Sequence, residues 1–113
     1  LAPALSELAK ASQAVGLVTA LEVFADRTYE DDGTLTSRSI EGSLITDPSQ
    51  ASDHVKIMIE EKSIISRSGK KLPTAFHSIC LHSDTPNSVE ISSQICILLH
   101  SMGVQQQTLP ELF

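Results

Sequence analysis

The stretch Leu21–Leu35, LEVFADRTYEDDGTL, decides how this chain is read. Apolar residues run from Leu21 to Ala25 with a carboxylate, Glu22, among them, and the run closes on the charged pair Asp26-Arg27. Leu17 to Ala25 is short and rich in β-forming side chains, which predicts a strand. Side chains alternate along a strand, so Glu22, Phe24 and Asp26 share a face. Charges at the end of a buried strand need a reason. A polar site at that end is one; a loop-entry ion pair between Asp26 and Arg27, with capping duties, is the other.

Upstream, Leu1, Leu5, Leu8 and Val15 recur at helical spacing with alanines between them, and Gly16 makes a stop, so the spacing predicts a helix. Downstream, Asp26 to Gly42 is polar, with Asp32-Gly33 as a turn signal. A loop that long in a compact domain is more often functional than idle. Asp47 then caps a helix opening at Pro48, whose buried face is Ala51, Val55, Met58 and Ile59. SIISRSGKKL predicts a short strand and a turn around Gly69, and Thr74–His82, TAFHSICLH, a second buried strand. That strand stops at SDTP, where Asp84 or Thr85 can cap a helix opening at Pro86 and ending at Gly103. The tail VQQQTLPELF is expected to hold one last short strand or none. Strands alternating with amphipathic helices make an α/β fold with a largely parallel sheet.

A length of 113 residues fits a single small domain. Hydrophobic residues make up 41% and Trp is absent, so the expected core is aliphatic. No run approaches the roughly 18 apolar residues of a membrane span, and LAPALSELAK lacks the basic start and apolar stretch of a signal peptide. A first residue of leucine rather than methionine is expected of a chain trimmed upstream or of a fragment. The net charge of −6 argues against nucleic acid, whose phosphates demand a basic face. Cys80 and Cys96 form no CxxC pair and lie in apolar runs, so they read as small buried hydrophobes in a reducing, cytoplasmic compartment.

Ligands of parallel α/β folds bind outside the carboxyl ends of the strands. The first strand ends in Asp26-Arg27 and the second in His82-Ser83-Asp84. In one parallel sheet these clusters occupy the same rim. His82 followed by Asp84 is a candidate acid–base pair, although Asp84 alone would serve as a helix cap. His54, His77 and His100 read as structural. Arg27 and Arg38 suit a carboxylate or phosphate, because a guanidinium binds such groups bidentately. There is no glycine-rich phosphate loop, no nucleophile elbow and no full metal-ligand spacing.

EVFADRTY, DDGTL and SRSIEGSLI, followed by CLHSDTP, resemble the C-terminal blocks of the LamB/YcsF family, the A-type subunits of bacterial-type 5-oxoprolinase. The resemblance covers Gly16 to Val104. Ser83 stands where the family has glycine, Ser37 where a proline is common and Ser43 where an alanine follows Gly42. The family's N-terminal motifs, an Asp-Leu-Asn-x-Asp stretch and Cys-Gly-x-His, His-Pro-Ser and Lys-Pro-His segments, are not in this sequence. The resemblance implies a distorted β/α barrel of the deacetylase-like type, of which residues 1–113 form a single partial domain, the C-terminal segment. It implies ATP-dependent hydrolytic opening of the 5-oxoproline lactam to glutamate, with B- and C-type subunits as partners. It also carries site residues: Asp26, His82 and Asp84 as catalytic, Glu22, Arg27 and Arg38 as substrate-binding, and no assigned metal ligand. Arg27 or Arg38 would hold the substrate carboxylate, His82 with Asp84 would move protons, and Asp26 would orient Arg27 or bind an ion. A partial barrel is expected to be inactive alone and to expose a sheet edge, which a homo-oligomer would cover. Two other readings remain open: a non-catalytic binding or scaffold remnant of the barrel, and a metal-dependent amide hydrolase.

Overall fold

The computed structural model describes residues 1–113. In chain order the elements are β1 (Ala2–Pro3), α1 (Glu7–Ala14), β2 (Leu21–Phe24), α2 (Pro48–Glu61), β3 (Ser63–Ile65), β4 (Lys71–Pro73), β5 (Ser78–Cys80), α3 (Ser88–Ser101) and α4 (Leu109–Leu112). β1, β2 and β5 form a parallel sheet in that order, while β3 and β4 make a separate antiparallel hairpin. The two main predicted strands are thus neighbours, with Phe24 opposite Cys80.

Alternation sorts the sheet into two faces. Val23 and Ala25 are buried in one cluster with Ala51, Val55 and Met58 of α2 and Ile91, Ile95 and Leu99 of α3, and Ile79 and Leu81 pack against it. The Ala51, Val55 and Met58 face of α2 is as its periodicity predicts, although Ile59 is only half-buried. Glu22, Phe24, Ser78 and Cys80, which point the other way, are half-buried. One face is therefore a core and the other is partly open.

α2 begins as expected: the Asp47 carboxylate accepts the Gln50 N–H at 2.9 Å, and Pro48 occupies the first turn. The hairpin turns at Gly69, whose φ of +92° favours glycine. Gly103, at φ +70°, follows the end of α3.

Several local expectations are corrected. The N-terminal helix begins only at Glu7, capped by Ser6, whose Oγ accepts the Ala9 N–H at 3.0 Å. Ala2 and Pro3 instead pair with Leu21 and Glu22, burying Ala2 and Ala4, while Leu8 and Val15 of the predicted apolar stripe stay exposed. Both main strands are shorter than predicted, because ladder bonding ends where the partner strand does. Neither Asp84 nor Thr85 caps α3; its cap residue is Asn87, at φ +62°. The tail holds no strand but a short helix, α4, with a capping box between Thr108 and Glu111, and the ring of Phe113 lies 4.9 Å from that of His77.

The polar stretch after Asp26 is folded. Bridges pair Arg27 with Leu44 and Tyr29 with Leu35, and the Asp31 carboxylate accepts the hydroxyls of Ser66 (2.6 Å) and Ser68 (2.5 Å) beside the β3–β4 turn. An exposed Glu30–Arg67 ion pair at 2.8 Å joins the same two segments. No helix is long and apolar enough to cross a membrane.

Candidate functional site

Two residues beyond the Phe24–Cys80 pair, the parallel register brings Asp26 beside His82. Asp26 is fully buried. Its Oδ2 accepts the His82 backbone N–H at 2.9 Å and the Thr85 hydroxyl at 2.7 Å. His82 Nδ1 stands 2.9 Å from Oδ1 and 3.0 Å from Oδ2. Burial pushes the Asp26 carboxyl upward, but hydrogen bonds from Thr85, the His82 amide and the His82 ring outweigh it and hold the pKa below its ordinary value. An ionised carboxylate only accepts, so Nδ1 carries a proton toward it and Nε2 is the ring nitrogen left facing away from Asp26.

The imidazole is also held from the side. Phe24 stacks on it with centroids 5.7 Å apart and planes 4° from parallel. Nε2 stands 3.9 Å from Cys80 Sγ. Burial, with Glu22 and Asp26 behind it, pushes the Cys80 thiol pKa up. With 26% of its side chain exposed, His82 is open to a ligand while its carboxylate partner is not.

The other candidates divide. Glu22 shares the open face. Arg27 does not pair with Asp26; it is buried, and its Nη2 donates to the Thr36 carbonyl at 2.8 Å while Nε has no partner. Arg38 is exposed near the tip of the loop. Asp84 is exposed in the turn before α3, and the carboxylate on His82 is Asp26, not Asp84, because parallel pairing overrides nearness in sequence. Thr85 and Cys80 were missed as site residues. The first read as a cap and the second as a small hydrophobe, although the alternation that groups Glu22, Phe24 and Asp26 also puts Cys80 and His82 together.

Behind this pair lies His54, which faces Tyr29 with ring centroids 6.3 Å apart. The Tyr29 hydroxyl oxygen accepts the Phe24 N–H at 3.0 Å, and burial pushes its pKa up to about 12. Burial lowers the His54 pKa, against the pull of the Phe24 and Arg27 carbonyls. The unfolded chain then binds more protons at His54 than the folded one once pH drops below about 6.5. Stability is expected to fall as pH falls from there through the folded value. Urea midpoints at pH 7 and pH 5 should differ less in His54→Gln than in the unaltered chain; an equal difference would refute the assignment.

The fold and this rim define an α/β chain with a carboxylate–imidazole pair at the carboxyl ends of adjacent parallel strands. The family model described as LamB/YcsF family matches residues 1–113, and the chain belongs to that family. It is similar to the A-type subunit of 5-oxoprolinase from Coprothermobacter proteolyticus, with 46% identity over 95 residues, 84% of this chain and 36% of that one. The corresponding 5-oxoprolinase chain of an Azoarcus species is 40% identical over 112 residues, 99% of this chain and 44% of that one. A crystal structure of a lactam utilization protein from Thermus thermophilus matches with a TM-score of 0.75 and 30% identity, covering 87% of this chain and 38% of that one. The chain thus spans less than half the length of these relatives.

Proposed function

We propose that this chain supplies an acid–base centre for hydrolytic opening of a lactam, with 5-oxoproline as substrate and glutamate as product. The observation that supports this reading is the Asp26–His82 pair: a buried carboxylate fixes the tautomer and orientation of a partly exposed imidazole. Amide opening needs a proton taken from the attacking nucleophile and one delivered to the leaving nitrogen. Nε2 of His82 does both in turn. Asp26 holds the imidazolium between the two transfers, and Thr85 with the His82 amide holds Asp26.

The substrate carboxylate falls to Arg38, since Arg27 is spent on the Thr36 carbonyl. Glu22 lines the open face, and Asp84 stays in the turn as an exposed carboxylate at the rim. Ser83 lies outside the left-handed region, so the exchange for the family's glycine brings no backbone strain.

The half-buried face with Glu22, Phe24 and Cys80 is that of a β/α barrel interior, of the deacetylase-like type that the resemblance implies. A barrel of about 250 residues would take these strands as its last units. We assign ATP use to other members of the complex, the B- and C-type subunits. The rim residues do not fit a triphosphate, having no glycine-rich loop and one exposed arginine. Covering the sheet edges falls to the remainder of the barrel or to a second copy, and the free thiols of Cys80 and Cys96 suit the cytoplasm.

The test is His82→Asn in the assembled complex, where asparagine keeps a donor toward Asp26 and loses Nε2. Turnover of 5-oxoproline is expected to fall by about 10²–10⁴-fold with KM little changed. Unchanged turnover would overturn the reading.

A further inference from the structure

We propose that Cys80 is the nucleophile of this site, forming a Cys80–His82–Asp26 triad that opens the lactam through a thioester. The proposal rests on the lactam reading above and adds the attacking atom to it. Cys80 and His82 are two apart on one strand path, so both point to the open face. Asp26 fixes Nδ1 and the Phe24 ring fixes the imidazole plane, which leaves Nε2 directed at Sγ, 3.9 Å away. That is the outer limit of a sulfur hydrogen bond, a length that tightens when substrate binds. Nucleophile, base and base-orienting carboxylate are the arrangement that covalent acyl transfer uses.

The chemistry balances without an oxidant or reductant. Sγ bonds to the lactam carbonyl carbon as its proton passes to Nε2. The carbon–nitrogen bond breaks, the proton passes from Nε2 to the leaving ring nitrogen, and the opened chain remains as a thioester. A water then gives its proton to Nε2 and bonds to the thioester carbon. The carbon–sulfur bond breaks, and the proton returns to Sγ. One water has been added. Since burial and the neighbouring carboxylates push the thiol pKa up, Cys80 rests as a thiol and needs a base to react. That base separates Cys80 from Cys96, which is exposed on α3 and serves as an internal reference.

The probe is p-nitrophenyl acetate on the assembled complex, with acetylation of Cys80 and Cys96 located by peptide mass spectrometry and checked by lability to hydroxylamine. Cys80 is expected to acetylate at least about tenfold faster than Cys96, at a pH below that at which a thiol of its kind ionises. His82→Asn should remove that advantage and leave the Cys96 rate unchanged. Equal rates at the two cysteines, no effect of His82→Asn, or the acetyl group on the His82 ring would each overturn the proposal. If the variant does not fold, the pH profile of the unaltered chain decides: a Cys80 rate that rises only with thiol ionisation overturns it. Excess 5-oxoproline should slow acetylation of Cys80. Fast, His82-dependent acetylation that 5-oxoproline leaves untouched supports the nucleophile and overturns the lactam reading. Binding of 5-oxoproline without acetylation of Cys80 overturns the nucleophile and leaves that reading standing.

Discussion

On the lactam chemistry proposed above, Asp26→Asn is expected to lower turnover of the assembled complex by about 10³–10⁴-fold, because the carboxylate selects the useful tautomer of His82. An asparagine has one carbonyl where Asp26 offers two oxygens to the His82 amide, the His82 ring and the Thr85 hydroxyl. With its oxygen left to the His82 amide and Thr85, its NH₂ group faces Nδ1, and the imidazole is driven to accept there and carry its proton on Nε2; turned the other way, the NH₂ group meets the His82 backbone N–H, a donor that cannot reverse. Stability should suffer too, by about 1.5–3 kcal/mol, the worth of a hydrogen bond to a charged group. The pH dependence separates the two effects. The Asp26 pKa is lowered in the folded state, so its contribution is present above the unfolded carboxylate value of about 3.9 and is lost as pH falls through the folded value. Asp26→Asn should therefore flatten the acid limb of a urea-denaturation series. A variant that keeps the unaltered acid limb would show that Asp26 is not ionised in its pocket.

Met58→Ala is expected to cost about 2–5 kcal/mol, the range for emptying a fully buried large side chain. Met58 is inaccessible to solvent and lies with Val55, Ile64 and Ile91 in the cluster that joins α2 and α3 to the covered face of the sheet. A loss of that size is a large part of the stability of a domain of this length. Denaturant titration at pH 7 checks it. A cost below about 1 kcal/mol would mean that the helices collapse onto the gap, contrary to close packing under β2.

Part of what the amino acids announced locally is in the structure. Asp47-Pro48 opens α2, Gly69 turns the hairpin, Gly103 follows α3, and the two apolar runs are adjacent parallel strands. What depends on distant partners was not legible. Ala2-Pro3 carries no strand signal of its own; pairing with Leu21-Glu22 makes it one. Thr85 has the composition of a cap, yet its hydroxyl is taken by a carboxylate 59 positions away. The rim itself followed from two strand ends in one sheet. The pairing within it did not: charge proximity favours Asp26 with Arg27 and His82 with Asp84, whereas strand register joins Asp26 to His82. Arg27 turned inward because the folded loop offers the Thr36 carbonyl, a partner that no spacing rule reveals.

The bonds at Asp26 also bear on how the chain folds. They join residues 56 and 59 positions apart, with α2 and the hairpin threaded between them. Contacts of such separation form only after most of the intervening loop entropy has been spent. Helices and hairpin can form early from local signals; the Asp26–His82 pair cannot. A collapsed intermediate with native helices would still present His82 without its carboxylate, so recovery of the Asp26–His82 contact during refolding should lag behind recovery of helical signal.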